Sequence, residues 1–477
     1  TDTEEEVACE IVENISYEDN APSAGNWGGI KAMNGGRFEV NYTDILYAGT
    51  IIFANNGSGI FNFVNASNSV TAMFLVGGNM EINDSTFSDF VGDFSYSLAT
   101  STFSIKNSKI NNINGDFINT WDNSSFLIDN TNITDVYNQT LTIFSSTSAQ
   151  ISNSNFSNVG KGIEVYLNSN LKIENSSFDG LSNASGPVFL NYSNGSISLD
   201  NTNIENINGK WAIEFFSGGS FSILNSTIKN ISGGPAIEAF NNDSNPTSTI
   251  NILNSTISDG NDRGIYVYGK VDINIDKSKI QNFLSDAIYG FSFPNIKITD
   301  SEISDNQNGI YSEGLKLEIK NSTILNNKDH GIFNVSYDSY PSIIAINNWW
   351  GDKTGPYNEI LNASGTGNKV SDNVDFDPWL LSAPGELPSC CSNVMFLPGL
   401  EASRLYRPDY DGGTKRLWEP EISHDNSDLF LNEAGLSLRE DIYTKDVIDN
   451  AYLYKKGNIY KTFISSMDNM KSEKMIN

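Results

Sequence analysis

From about residue 84 to residue 324 the chain repeats one pattern, a short polar triplet opened by Asn and closed by a single apolar residue: "NSKI" (107–110), "NTNI" (130–133), "NSNF" (153–156), "NSSF" (175–178). The closing residues are Phe87, Ile110, Ile133, Phe156, Phe178, Ile204, Ile228, Ile257, Ile280, Ile303 and Ile324, spaced 21 to 29 residues apart. A fixed period in this range marks a solenoid. Between the triplets run short alternating stretches such as "STINILNST" (248–256) and "RGIYVYGKVDINID" (263–276). Period-two alternation rich in Ile, Val, Phe and Tyr predicts strands. Leucine-rich repeats share the period, but their Leu spacing and helical segment are missing. Two or three short strands per coil predict a parallel β-helix, in which each strand pairs with its counterpart one coil away.

The triplet has a physical reason. In "INILNSTI" Ile250 and Ile252 point inward, and the chain must turn before Ile257 points inward again. Asn tolerates left-handed backbone angles and bonds locally, so it suits such a corner. Stacking the coils aligns Asn107, Asn130, Asn153, Asn175, Asn201, Asn225, Asn254 and Asn321 as a ladder of side-chain amides, interrupted by Asp84, Lys277 and Asp300. A buried ladder position would tolerate Lys poorly, so the corner at Lys277 is expected to face water. Ser and Thr after the Asn keep the bend tight. The many Asn-x-Ser/Thr sequons, at Asn41, Asn65 and Asn225 for example, follow from this corner and say little about glycosylation.

"RFEVNYTDI" (37–45) and "SIIAINNWW" (342–350) extend the pattern to about fourteen coils, a rod on the order of 65 Å long. At its ends, "AGNWGGI" (24–30), "NNWWGDKTGPY" (347–357) and "NVDFDPWL" (373–380) resemble bacterial secreted right-handed parallel β-helix proteins of the pectate-lyase-like superfamily. The resemblance covers residues from about 10 to 381 and implies an extracellular or cell-surface location, with a polysaccharide or the cell envelope as partner. Trp349, Trp350 and Trp379 are candidates to seal the last coil, with Gly351, Gly355 and Pro356 in turns. A carbohydrate platform is the other reading of these tryptophans.

Enzymes of that superfamily cleave polysaccharides in a lateral groove, the lyases with calcium-binding Asp and an Arg or Lys base, the hydrolases with clustered Asp. The rod offers Arg37 and Arg263 as its two Arg, and "SDGNDRGIYVYG" (258–269) gathers Asp259, Asp262 and Arg263 in the longest coil. A loop insertion there would be a groove site, and a solvated turn is the competing reading. His330 has no second His or Cys nearby, so no metal is expected. No cofactor is indicated; calcium is compatible with the charge but has no motif.

The formal charge of −29 opposes nucleic-acid binding through phosphates. No run approaches 18 apolar residues, so no membrane span is expected. The three cysteines, Cys9 and the adjacent Cys390 and Cys391, are too few for a disulfide scaffold. The opening "TDTEEEVACE" lacks Met and a signal segment, as expected of a processed start or a cut through a longer protein.

The organisation predicted is β-helix over 1–381, a Pro/Ser/Gly linker over 382–392, and a second domain over 393–477, where four of the six Arg and four of the seven Met lie. "NVMFL" (393–397) predicts a strand buried on both faces, Pro398-Gly399 a sharp turn, and Ile459, Phe463, Met467 and Met470 share a helical face. Strand, turn and helix predict an incomplete α/β segment. "LPGLEASRLY" (397–406) is similar to the first strand and turn of α/β-hydrolase lipases of the lecithin:cholesterol acyltransferase-like branch. That resemblance implies an oxyanion-binding backbone N–H at Leu400; a strand-ending turn without chemistry is the alternative. No Gly-x-Ser-x-Gly elbow follows, and His424 sits in a polar stretch. Three functions remain open from sequence: a rod joined to the start of an ester hydrolase, a polysaccharide lyase or glycoside hydrolase, and a non-catalytic adhesin.

Overall fold

The computed structural model describes residues 10–11, 22–384 apart from 217, 243–244 and 336–340, and parts of 403–466. The chain forms two compact units, Thr1–Pro384 and Gly385–Asn477.

In the first unit each pass of the chain builds three walls. One coil contributes Thr102–Lys106, Lys109–Ile113 and Ile118–Thr120. Each strand pairs in parallel with its counterpart one coil on, Thr102 with Ser125, Lys109 with Asn132, Ile118 with Leu141. The first wall is a 15-stranded sheet; the second and third share a 27-stranded one. The unit is a parallel β-helix. Its core is the inward half of each alternation. The eleven closing apolar residues, Phe87 through Ile324, stand in register as one column. None of the eleven is more than 1% exposed.

The ladder corner is left-handed throughout, with φ of 51° at Asn107, 49° at Asn225 and 48° at Lys277. Asn130 Nδ2 donates to Asn107 Oδ1, Asn201 to Asn175, and Asn254 to Asn225, each at 2.8 Å. Every amide of this ladder is exposed, so Lys277 is no exception to a buried row. The buried ladder belongs to the next residue. The Oγ of Ser154, Ser176, Ser278 and Ser301 accepts the backbone N–H of Thr131, Ser154, Ser255 and Ser278 in the coil before, each at 3.1 Å. The same hydroxyls donate to carbonyls two residues back, Ser154 to Ser152 and Ser278 to Asp276, for example. This two-way bonding satisfies the buried donors that the turn strips from the sheets. Replacing Lys277 by Asn should raise stability by about 0.5–1 kcal/mol, because Asn lowers the cost of the left-handed backbone. A urea midpoint equal to or below that of the parent would refute this.

The wide 29-residue step is not an insertion near Asp259. The extra residues lie between Asn241 and Ser248, at the turn from the third wall to the first, while Thr256–Gly260 and Ile265–Gly269 are ordinary strands. Asp259, Asp262 and Arg263 fall in the next step, from Ile257 to Ile280, whose 23 residues are the ordinary spacing, so the periodicity itself places the extra residues before Ile257.

At the C-terminal end Trp350 is fully buried, leaving no ring surface for a sugar. Trp349 is half-buried and its carbonyl accepts from Ile324 N–H at 2.7 Å. Trp379 packs on the core beside Phe376, ring centroids 6.2 Å apart, and its Nε1–H donates to the Lys353 carbonyl at 3.2 Å. In the second unit Thr414–Trp418 and Tyr443–Val447 flank Ser403–Pro408 in an antiparallel sheet. The strand expected at 393–397, Leu400, His424 and the three cysteines lie outside the described residues, and of the expected helix only 465–466 is described, as helical.

Candidate functional site on the third wall

The outward side chains of the first wall are mostly polar: Ser104, Leu127, Gln150, Lys172, Ser198, Ser222, Asn251 and Asn274 follow one another there. The third wall is different. Trp121, Phe144, Tyr166, Tyr192, Phe216, Phe240, Tyr268 and Phe291, one from each of eight consecutive coils, form an outward row with neighbouring ring centroids within 6.0 Å. All are half-buried except Tyr192, which is 40% exposed. Two residues earlier, from the Tyr166 strand to the Phe291 strand and on over two further coils, runs a second outward row in register: Glu164, Leu190, Glu214, Glu238, Tyr266, Tyr289, Tyr311 and Phe333. Outward aromatics on a pleated sheet gain from one another along the stack but leave an edge or face to solvent. So long a row, apolar on a chain this acidic, is a surface suited to a ligand of matching length.

The carboxylates between the rings are in unusual surroundings. Glu214 is only 8% exposed, and no described residue donates a hydrogen bond to it. Burial first, then the charge of Glu238 on the next coil, pushes its carboxyl up to about 7, with Lys210 opposing. Burial also raises Glu238. Glu164 is raised by burial although Tyr166 Oη–H donates to it at 3.0 Å. Tyr268 is pushed up to about 12, by burial and then by Glu238. Tyr289 Oη–H donates to Glu313 Oε1 at 2.8 Å.

Arg263 is enclosed. Its Nη1 lies 3.8 Å from Asp262 Oδ1 and its Nε 3.4 Å from Asp286 Oδ2, ion pairs that leave Nε without a hydrogen bond. The guanidinium also lies over Tyr289 at 4.7 Å and Tyr266 at 5.3 Å. Asp286 is buried, takes a hydrogen bond of 2.9 Å from Asn308 Nδ2, and is raised chiefly by burial. Lys210 sits 4.1 Å over Trp211.

A family model described as right handed beta helix region matches residues 49–189 and 186–349, more than half of the chain. The chain belongs to that family. No curated protein matches the chain. Among solved structures the β-helix is similar to the periplasmic alginate epimerase AlgG, 10% identical over 67% of this chain and 76% of that one, TM-score 0.29. A point mutant of the same epimerase matches over 73% and 85%, TM-score 0.34, at 10% identity. The tailspike protein 3 of bacteriophage CBA120 is 12% identical over 86% and 63%, TM-score 0.26.

Of the residues singled out in the sequence, Asp262 and Arg263 reach the third wall of the β-helix. Asp259 does not. It occupies a second left-handed corner, φ 61°, where it accepts from Ser258 Oγ at 2.7 Å and Asn282 Nδ2 at 2.9 Å. Glu214, Glu238, Asp286 and the aromatic row escape a reading of the sequence because they come from separate coils. Among the described residues no three His, Cys, Asp or Glu side chains group as a metal site, and no helix is long and apolar enough to cross a membrane.

Proposed function

We infer that the β-helix is a secreted or cell-surface glycan-binding rod that lays an extended polysaccharide along its third wall. The aromatic row carries this reading. Sugar rings have C–H faces that stack on aromatic rings, while carboxylates between the rings accept from hydroxyls. One ring per coil offers a repeated contact to a repeated ligand, so weak steps add along the polymer.

The test is affinity electrophoresis of the full chain in gels carrying different polysaccharides. The chain should be retarded by at least one, and Phe240→Ala with Tyr268→Ala should weaken that retardation by roughly tenfold or more, as truncated aromatic anchors do. Circular dichroism would establish that the variant is folded. Retardation by none, or retardation unchanged in the variant, would remove the proposal. Reducing ends released in the same incubation would instead assign the face to glycoside hydrolysis by the Glu214 and Glu238 carboxyls.

For 393–477 the similarity of "LPGLEASRLY" to lipases supports a proposal that an ester-hydrolase domain begins there. A reading frame that continued past Asn477 without a Ser elbow and later Asp and His would sink it.

A further inference from the structure

We propose that the stretch of the third wall around Glu214 selects a glycan bearing free amino groups, a polyglucosamine, over a polyuronate. The inference rests on the glycan-binding reading and specifies its ligand. Glu214 is more than nine-tenths buried, faces out of the third wall, and receives no hydrogen bond from any described residue. A largely buried carboxyl in that state has no donor from the described residues, and a ligand can bring one. An ammonium group is the strongest such donor, because the bond is charge-assisted.

The surroundings favour the same sign of charge. Glu238 follows Glu214 in the same outward row. Phe216 stands two residues beyond Glu214 and meets Phe240, two residues beyond Glu238, so aromatic rings run alongside the carboxyls. The face of an aromatic ring attracts cations and repels anions. A uronate would need a free cation, and Arg263 is not one: Asp262 and Asp286 already neutralise it and two tyrosines cover it. Lys210, exposed over the Trp211 ring, acts on Glu214 and Glu238 themselves, and these two acids outnumber it. A uronate carboxylate placed here would therefore face two carboxyls and aromatic surface, and like charges at an interface exclude the wrong partner.

The experiment is titration calorimetry of the full chain at mildly acidic pH, where glucosamine amines are ammonium and uronates are ionised, with three soluble oligosaccharides of equal length: oligoglucosamine, a neutral β-glucan and oligogalacturonate. Oligoglucosamine should bind at least about tenfold more tightly than the neutral oligomer, and oligogalacturonate should be weakest. Glu214→Gln should erase most of that preference, bringing the amino and neutral oligomers to within about twofold of each other. The net charge of −29 attracts any polycation, so a preference that persisted in Glu214→Gln would assign it to bulk charge and overturn the proposal. Tighter binding of oligogalacturonate would also overturn it. Equal binding of the neutral and amino oligomers would end this inference and spare the glycan reading. No binding of any oligomer would end both.

Discussion

Truncating Phe156 to Ala should destabilise the rod by about 3–5 kcal/mol, the range for removing a large side chain from a core that does not collapse. Phe156 is 1% exposed, stacks on Phe178 at 4.5 Å and 11°, and meets Phe117 edge-on at 6.3 Å. Its Cα neighbours in the column are Ile133 and Phe178. Those residues cannot move in to fill the space, because ladders of backbone hydrogen bonds on three walls hold successive coils at strand spacing, about 4.8 Å. The damage should also be local. In a solenoid each coil touches only its neighbours, so stability is close to a sum of coil and interface contributions. Hydrogen exchange should accelerate in the coils carrying Ile133 to Phe178, while amides near Ile303 and Ile324 keep their protection. A loss below about 1 kcal/mol, or a uniform rise in exchange along the rod, would show that the column is not packed as described.

The same locality explains what is legible in the sequence. Each coil needs a left-handed corner, and Asn meets that need from its own side chain and backbone, so the corner is spelled out once per period. The second corner is spelled just as regularly. Two residues past each closing apolar residue stand Asp89, Asn112, Asp135, Asn158, Gly180, Asn206, Asn230, Asp259, Asn282, Asp305 and Asn326, all with positive φ. It is harder to see because three residue types share the position, and because Asp259 invites a chemical reading. The division of labour inside the first corner is hidden for another reason. Asn is the conspicuous residue of the triplet, but the burial that makes a hydrogen bond matter falls on the Ser or Thr after it. The candidate face is harder still. Glu214 and Glu238 each lie ten residues past a closing apolar residue, whereas Tyr266 and Tyr289 lie nine past theirs. A fixed count therefore slips by one between coils, and only the strand register shows these four in a single row.

Glu214 should make the stability of the protein fall as pH rises, the reverse of an ordinary surface carboxylate. Its carboxyl is pushed up to about 7 in the folded chain, from an ordinary 4.5. Between those values the folded state holds a proton that the unfolded chain has lost, so unfolding becomes easier with increasing pH. The contribution is complete below about pH 4.5 and gone above about pH 8. Each pH unit between the folded and unfolded values is worth about 1.4 kcal/mol, which bounds the effect at about 3 kcal/mol, and water reaching the edge of the third wall lowers it to about 1–3. Glu164, Glu238 and Asp286 are raised too and slope the same way, whereas Asp129, lowered by hydrogen bonds from Ser152 and Asn153, slopes oppositely. The parent curve alone therefore cannot isolate Glu214, and the comparison must be with Glu214→Gln. Gln keeps the shape of the protonated acid and never ionises. The two proteins should unfold at the same urea concentration near pH 4.5, and the variant should be the more stable by about 1–3 kcal/mol near pH 8. A difference that stays constant from pH 4.5 to 8 would mean that this side chain reaches water freely. In that case solvent would already supply the carboxyl with its donor, and a ligand ammonium would gain nothing by replacing it.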